Sequence, residues 1–189
     1  MKTTRIRILG AAGRAGLVAA FVISTALAAE PARERPVYQD AGAPIDARIE
    51  DLLSRLTLEE KIAQITTVWT QKVQLLDANG RFDPALRAKL YPAGIGHFAR
   101  PNDIRGIGSP YEHPFYDERQ TVALVNAIQR DALENTRLGI PVLFHEEALH
   151  GYAARGATHF PQAIALASSW DPELLTRVFT IAAREVRAR

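Results

Sequence analysis

Two histidines and two glutamates stand close together in the stretch IPVLFHEEALHG, residues 140–151. His145, Glu146, Glu147 and His150 are residue types that bind metal ions, transfer protons or accept hydrogen bonds from the hydroxyl groups of a ligand. The mostly apolar residues before them are typical of a short buried strand. The stretch therefore predicts a strand that ends in a polar loop, and the spacing of the four side chains decides between these kinds of chemistry.

The spacing of the histidines disfavours a metal site. A zinc peptidase helix of the H-E-x-x-H type places its histidines four residues apart on one face. His145 and His150 are five apart, which separates them by about 140° around a helix, and His159 lies nine residues further on. The chain also has no cysteine, so a thiolate zinc site and a cysteine nucleophile are excluded. We expect no metal here, and a zinc peptidase is the weakest hypothesis.

The adjacent glutamates are not predicted to form a catalytic pair. A glycosidase needs two carboxyl groups about 5–5.5 Å apart for retention or about 6.5–9.5 Å apart for inversion. Neighbouring side chains at a strand end point to opposite faces, so at most one of Glu146 and Glu147 can face a given cleft. A single acid at the carboxyl end of a parallel strand either binds ligand hydroxyls or is solvated or bonded structurally. Residue chemistry alone leaves both alternatives open.

Helices and strands alternate around this stretch. Apolar spacing and capping residues predict helices that begin near Ile45, at the T-L-E-E capping box of Thr57, near residue 83, near residue 116 and at Asp171. Strands are predicted within residues 94–98 and 140–144, and a long loop over residues 99–115. This alternation predicts an α/β fold with a parallel sheet. Two strands cannot complete such a sheet, and the last helix reaches Arg189 without a stop signal, so we expect a truncated fold.

The first 28 residues have the layout of a secretory signal peptide. A basic segment precedes an apolar run of about eleven residues and the small-residue pattern that ends at Ala28. The run is too short to span a bilayer, so we expect no stable membrane anchor. Cleavage would remove four positive charges and change the formal net charge from +2 to −2, which removes the support for a nucleic-acid partner. We expect an exported protein, periplasmic or secreted, with residues 29–44 as a linker and residues 45–189 as the folded domain.

Three segments in order resemble the N-terminal part of the catalytic domain of glycoside hydrolase family 3, of the bacterial β-glucosidase and β-xylosidase type. They are LLSRLTLEEKIAQI, RLGIPVLFHEEALHGY and ATHFPQAIALASSWDPELL. The resemblance implies the first portion of a (β/α)8 barrel and retaining, exo-acting hydrolysis of β-glucosides or β-xylosides, without a cofactor. It does not imply an oligomeric state.

The resemblance also assigns roles to the opening stretch. His150 and Gly151 match the D-x-x-H-G pattern of the family, which places Glu147 at the acid that binds hydroxyls of the non-reducing sugar. Glutamate instead of aspartate resembles the xylosidase-type branch and leaves the choice between glucose and xylose open. His150 is expected to stabilise the loop rather than to contact the sugar. His145 and Glu146 are expected to be structural partners of the residues that contact the sugar.

The remaining candidates have weaker support. His97 is expected at the end of its strand on the catalytic side, Trp69 could stack on a sugar, and Trp170 is expected to be buried in the core or at a helix junction. Asp171 is a helix cap and not the nucleophile. The resemblance implies that the nucleophile and the general acid/base lie beyond Arg189, so this fragment is expected to be inactive alone. The alternative is a non-catalytic carbohydrate-binding or structural remnant.

Overall fold

The computed structural model describes residues 35–103 and 115–188. The predicted signal peptide, the linker residues 29–34 and most of the predicted loop over residues 99–115 lie outside the described residues. Residues Val37–Arg189 form one compact unit. No helix in the described part of the chain is both long and apolar enough to cross a membrane.

In the described part of the chain, three parallel strands form a sheet in the order β1-β2-β3. They are β1 (Thr67–Val68), β2 (His97–Ala99) and β3 (Leu143–His145). Phe98 lies between Val68 and Phe144 in the strand register, so three apolar side chains meet across the sheet. The predicted α/β class, the parallel sheet and two of its strands are confirmed. The two-residue strand β1 was not predicted, because it is too short to show a pattern.

The described residues contain six α-helices. They are α1 (Ile45–Arg55), α2 (Leu58–Gln64), α3 (Pro84–Leu90), α4 (Glu118–Asn135), α5 (Ala163–Ala167) and α6 (Pro172–Ala188). The predicted capping box is present, since Thr57 and Glu60 bond to each other's backbone N–H groups. Asp171 accepts a hydrogen bond from the backbone N–H of Leu174 at 2.9 Å, which confirms the predicted cap. The short helix α5 was not predicted.

The core lies between the sheet and the helix α4. Leu124, Ile128 and Ala132 recur every four residues on one face of that helix, and all three are buried. They pack in one cluster with Phe98 of β2 and Leu75. Burial of a leucine, isoleucine or phenylalanine side chain contributes about 1.5–3 kcal/mol. The central strand and α4 therefore hold the carboxyl ends of the strands in place.

Three features differ from the sequence predictions. The segment Val37–Gln39, inside the predicted linker, forms a 3-10 helix, and the backbone N–H of Tyr38 bonds to Asp51 of α1 at 3.1 Å. The strand β3 is not buried, because it lies at the sheet edge and Leu143 is 59% exposed. Trp170 does lie at the junction of α5 and α6, but it is 91% exposed rather than buried.

Candidate functional site

Two loops meet where the neighbouring strands β2 and β3 end. The backbone N–H of Arg100, directly after β2, donates to the carbonyl of His145, the last residue of β3, at 2.8 Å. The β2 loop continues with Asn102, and the β3 loop continues with Glu146 and Glu147. The carboxyl ends of parallel strands are where α/β folds bind ligands. This edge therefore brings the predicted acids together with polar residues that lie more than forty positions earlier in the chain.

Glu147 is held by a forked ion pair and remains accessible. The Nη1 atom of Arg100 lies 3.1 Å from Oε2 of Glu147, and its Nη2 atom lies 2.8 Å from Oδ2 of Asp103. Exposure rises along this chain of charges, from 4% for the side chain of Asp103 to 13% for Arg100 and 40% for Glu147. Arg100 thus joins a buried anchor to a carboxylate that faces solvent. Such a carboxylate can accept hydrogen bonds from ligand hydroxyl groups.

Glu146 has different partners and a different environment. Its carboxylate accepts hydrogen bonds from Nδ2 of Asn102 at 2.7 Å and from the backbone N–H of Asn102 at 3.3 Å. Burial raises the pKa of Glu146, although the bonds from Asn102 and Tyr152 and the charge of Lys72 act in the opposite direction. Among the described residues the two neighbouring glutamates therefore bond to different partners, Glu147 to Arg100 and Glu146 to Asn102 and Tyr152. The bonds of Glu146 to Asn102 link the β3 loop to the β2 loop.

Lys72 supports the turn after β2 from inside the protein. It is 1% exposed, and its Nζ atom donates to the carbonyl oxygens of Ala99 at 3.3 Å and Arg100 at 2.9 Å. Arg100 has a φ of 53°, a left-handed conformation that costs a non-glycine residue about 1–2 kcal/mol. Hydrogen bonds from a charged donor contribute about 1.5–3 kcal/mol each. The ammonium group of Lys72 is therefore strong enough to hold this turn.

Glycine and main-chain bonds give the β3 loop its shape. Gly151 has a φ of +102°, and a Cβ atom there would lie 2.1 Å from the carbonyl oxygen of Thr158. The backbone N–H of Ala153 donates to the carbonyl of Glu147, and that of Phe160 donates to the carbonyl of His150, both at 2.8 Å. The loop therefore folds back on itself and holds the main chain of Glu147 in place.

The histidines take positions around this loop. The His145 side chain is exposed at the end of β3, and its ring lies 6.5 Å from that of His97. The rings of His150 and His159 lie 6.1 Å apart. The predicted place of His97 is wrong, because β2 ends one residue beyond the predicted strand, at Ala99, and His97 is the first residue of β2 and not its last. Within residues 35–103 and 115–188, no three His, Asp or Glu side chains are grouped so that they could hold a metal ion.

Sequence reasoning missed Lys72, Arg100, Asn102 and Asp103. Lys72 belongs to no recognisable sequence motif. It is buried because the turn after β2 places the carbonyl groups of Ala99 and Arg100 against it. Arg100 and Asn102 stand in a stretch that the sequence marks only as a loop. The one available signal was position, because both residues directly follow a predicted strand.

Known proteins are similar to most of this chain. Residues 57–189 match the family model described as the glycosyl hydrolase family 3 N terminal domain. A putative beta-xylosidase of Formosa agariphila is 31% identical over 80% of this chain and 19% of its own length. Beta-glucosidase C of Emericella nidulans is 32% identical over 79% of this chain and 23% of its own length.

A solved structure is similar as well. A novel b-glucosidase from Erythrobacter marinus matches with a TM-score of 0.58 and 29% identity, over 78% of this chain and 18% of its own. The chain spans about a fifth of the length of the curated relatives described above. The family match covers well over half of the residues, and the resemblance seen in the sequence is confirmed: the chain belongs to glycosyl hydrolase family 3 and corresponds to its N-terminal domain.

Proposed function

We propose that this chain is the sugar-binding N-terminal part of an exported, retaining β-glycosidase that acts on the non-reducing ends of β-glucosides or β-xylosides. The observation that carries the proposal is Glu147, a half-exposed carboxylate held by Arg100 at the carboxyl ends of parallel strands. Membership of glycosyl hydrolase family 3 and the similarity to proteins named beta-xylosidase and beta-glucosidase support the reaction class.

The Glu147 carboxylate has acceptor capacity left for a sugar. A carboxylate offers about four lone-pair positions, and Arg100 is the one described side chain that donates to it. Two neighbouring hydroxyl groups of a terminal sugar can therefore donate to the remaining positions. Each hydrogen bond to a charged acceptor contributes about 1.5–3 kcal/mol, which is enough for this residue to matter for substrate affinity.

In this proposal the glycosidic bond is cleaved by residues outside the 189-residue chain. A retaining enzyme needs a nucleophile and an acid/base about 5–5.5 Å apart, whereas Glu146 and Glu147 are each bound to a different residue of the β2 loop. The parallel sheet described here would be the first portion of a (β/α)8 barrel. Later strands of that barrel or a further domain would supply the two catalytic carboxyl groups.

Activity assays test this proposal directly. We expect the 189-residue chain to hydrolyse neither 4-nitrophenyl β-glucoside nor 4-nitrophenyl β-xyloside. We expect the longer protein, expressed from the gene with its in-frame continuation, to hydrolyse at least one of them. Robust turnover by the 189-residue chain would show that its own residues complete the catalytic pair.

The Glu147→Ala variant of the longer protein tests the sugar-binding role. Loss of one or two charged hydrogen bonds predicts a fall in kcat/KM of roughly 10- to 100-fold, with the far-UV circular dichroism unchanged. Glu134→Ala, at an exposed position of α4, is the matched control and should keep kcat/KM. Equal activity of the Glu147→Ala variant and the wild type would overturn the assignment.

Export is a separate part of the proposal and rests on residues 1–28. Expression in a Gram-negative host followed by mass spectrometry of the periplasmic and medium fractions tests it. We expect a protein that begins at Ala29, because the A-x-A pattern ends at Ala28. An uncleaved protein found only in the cytoplasm would contradict export.

A further inference from the structure

More polar side chains are buried in the turn after β2 and against it than a connecting loop needs. Lys72 is 1% exposed, Asn102 2% and Asp103 3%, and Arg100 between them has an unusual backbone conformation. Buried polar groups and backbone strain are both unfavourable, and they persist where surrounding structure fixes them. Polar turns of this kind concentrate at functional sites. We therefore expect this cluster to hold a functional side chain in place.

We propose that Arg100 is a positioning residue, which fixes the carboxylate of Glu147 for sugar binding, and that the buried Lys72 holds Arg100 in the backbone conformation that this contact requires. The proposal rests on the proposed function of Glu147 in sugar binding. It adds two residues, Lys72 and Arg100, that no sequence motif marks.

The guanidinium group of Arg100 provides the link. Its two Nη atoms bind two carboxylates at once, the buried Asp103 at 2.8 Å and the half-exposed Glu147 at 3.1 Å. A guanidinium group is planar and rigid, so its contact with Asp103 also fixes the direction of the contact with Glu147. The Nε atom of Arg100 is buried without a hydrogen-bond partner. The side chain is therefore oriented so that it contacts both carboxylates, although this leaves its Nε–H without an acceptor.

Lys72 acts one step further from the sugar. Its Nζ atom donates to the carbonyl oxygens of Ala99 and Arg100, at 3.3 Å and 2.9 Å, which belong to the two peptide groups that flank the Cα atom of Arg100. The carbonyl of Arg100 also accepts the backbone N–H of Asp103 at 3.0 Å. These bonds fix the left-handed turn at Arg100. Without them, we expect the guanidinium group to move away from its position between the carboxylates of Asp103 and Glu147.

A fixed carboxylate binds a sugar better than a mobile one. Glu147 has three rotatable side-chain bonds and is the longer of the two acidic residue types, so it loses more conformational freedom when it is immobilised. Contact with Arg100 immobilises it before the sugar arrives, which lowers the entropic cost of binding. A lysine in place of Arg100 would keep the positive charge but would lose the two-pronged geometry.

A mutant cycle on the 189-residue chain tests the proposal. The dissociation constants of methyl β-D-xylopyranoside and methyl β-D-glucopyranoside would be measured by NMR titration for the wild type, Arg100→Lys, Glu147→Gln and the double variant. We expect Arg100→Lys to weaken binding of the preferred glycoside about tenfold in the wild type and less than twofold in the Glu147→Gln background. An equal loss in both backgrounds, or no loss in either, would overturn the proposal.

Three further variants separate positioning from a merely structural role. Arg100→Gly relieves the backbone strain but removes the guanidinium group, and it should weaken binding as much as Arg100→Lys. Lys72→Met keeps the buried chain length and should also weaken binding. Arg55→Lys alters an arginine–aspartate ion pair on α1 and should leave the dissociation constant unchanged. Retention of full affinity by a folded Arg100→Gly variant would contradict the role of its side chain.

A second measurement distinguishes failure of this proposal from failure of the proposed function. The side-chain carboxyl 13C resonance of Glu147 reports its order without any sugar present, and we expect Arg100→Lys to broaden or shift it. If this occurs while the wild type binds neither glycoside, sugar binding at Glu147 is overturned and the link from Arg100 to Glu147 is supported. If the wild type binds a glycoside and the resonance is unaffected, the positioning role is overturned and sugar binding stands.

Discussion

Glu146 and Glu147 are neighbours in the chain with different electrostatic surroundings. Glu147 is half-exposed beside the guanidinium group of Arg100, whereas Glu146 is turned into the polar cluster of Asn102 and Tyr152. Desolvation raises the pKa of Glu146 above its ordinary value of 4.5. The same residue type therefore supplies an accessible hydrogen-bond acceptor at position 147 and a partly buried link between two loops at position 146.

The raised pKa of Glu146 predicts how stability changes with pH. Above its ordinary value of 4.5, the folded protein still binds a proton at Glu146 that the unfolded chain has lost. The contribution of Glu146 is therefore most favourable below pH 4.5 and decreases as the pH rises through the folded-state pKa. Relative to Glu146→Gln, the wild type should lose about 1.4 kcal/mol of unfolding free energy for each unit of pKa difference.

Urea unfolding of both proteins between pH 4 and 8 measures this difference. Glu134→Gln, at an exposed position on α4, is the matched control and should follow the wild type across the whole range. The effect of burial on the pKa of Glu146 would be contradicted by either of two results. The stability difference between the wild type and Glu146→Gln could stay constant, or it could change in favour of the wild type as the pH rises.

The sequence predicted the acids of this site better than their partners. Glu146 and Glu147 stand directly after an apolar run, so their place at a strand end follows from a local pattern. Arg100 donates to a residue 47 positions away, and its left-handed conformation leaves no mark in the sequence. Long-range contacts of this kind depend on which loops the sheet brings together, which local patterns do not encode.

At the scale of elements, a buried ion pair joins α3 to α4. The Nε atom of Arg87 lies 2.6 Å from Oδ2 of Asp131, and the two side chains are 5% and 4% exposed. Arg87 also donates to the carbonyl of Asn135, and the side-chain amide of Asn135 donates to Asp131. Every charge in this group therefore has partners, which is the condition under which a buried ion pair is tolerated.

Removal of one partner of this pair should be costly. Asp131→Leu leaves the guanidinium group of Arg87 buried without its counter-charge, and we expect a loss of about 3–5 kcal/mol in the free energy of unfolding. The double variant Arg87→Met with Asp131→Leu replaces both charges by apolar groups and should recover most of that loss. Urea unfolding of both variants measures the difference, and a loss below about 1 kcal/mol in Asp131→Leu would contradict the importance of the pair.

The loop after β3 depends on a glycine. An alanine at position 151 would place its Cβ 2.1 Å from the carbonyl oxygen of Thr158 at a φ of +102°, so Gly151→Ala should cost about 1–3 kcal/mol of stability and displace the Glu147 loop. Gly42→Ala is the matched control, because its Cβ would meet Asp40 at 3.4 Å, and it should change stability by less than about 0.5 kcal/mol. Equal stability of the two variants in thermal unfolding would refute the steric argument.

Helices were predicted more reliably than strands. Capping residues and apolar spacing are local, so the starts of α1, α2, α3, α4 and α6 follow from the sequence. The strands have two or three residues each, too few for a period to be visible. The apolar run before His145 predicted a buried strand, yet Leu143 is 59% exposed, because burial depends on what packs against β3 and not on β3 itself.

The molecule as a whole exposes much apolar surface. Large exposed apolar side chains lie on α1 and α2, near the sheet edge and at the junction of α5 and α6: Ile45, Ile49, Leu58, Ile62, Ile65, Leu143, Leu149, Ile164 and Trp170. The outer side of β3 pairs with no described strand. Exposed parallel edges with apolar side chains favour association between chains.

The edge strand β3 is the surface through which we expect the chains to associate. We expect the 189-residue chain to self-associate as its concentration rises, and Leu143→Lys to reduce the associated fraction by roughly half or more, because a charged side chain on an edge strand opposes strand pairing. Leu133→Lys is the matched control, since Leu133 is 53% exposed on α4, away from the sheet. Sedimentation velocity over a range of concentrations measures the associated fraction. Equal reduction by both variants would mean that general apolar exposure, and not the edge of β3, drives association.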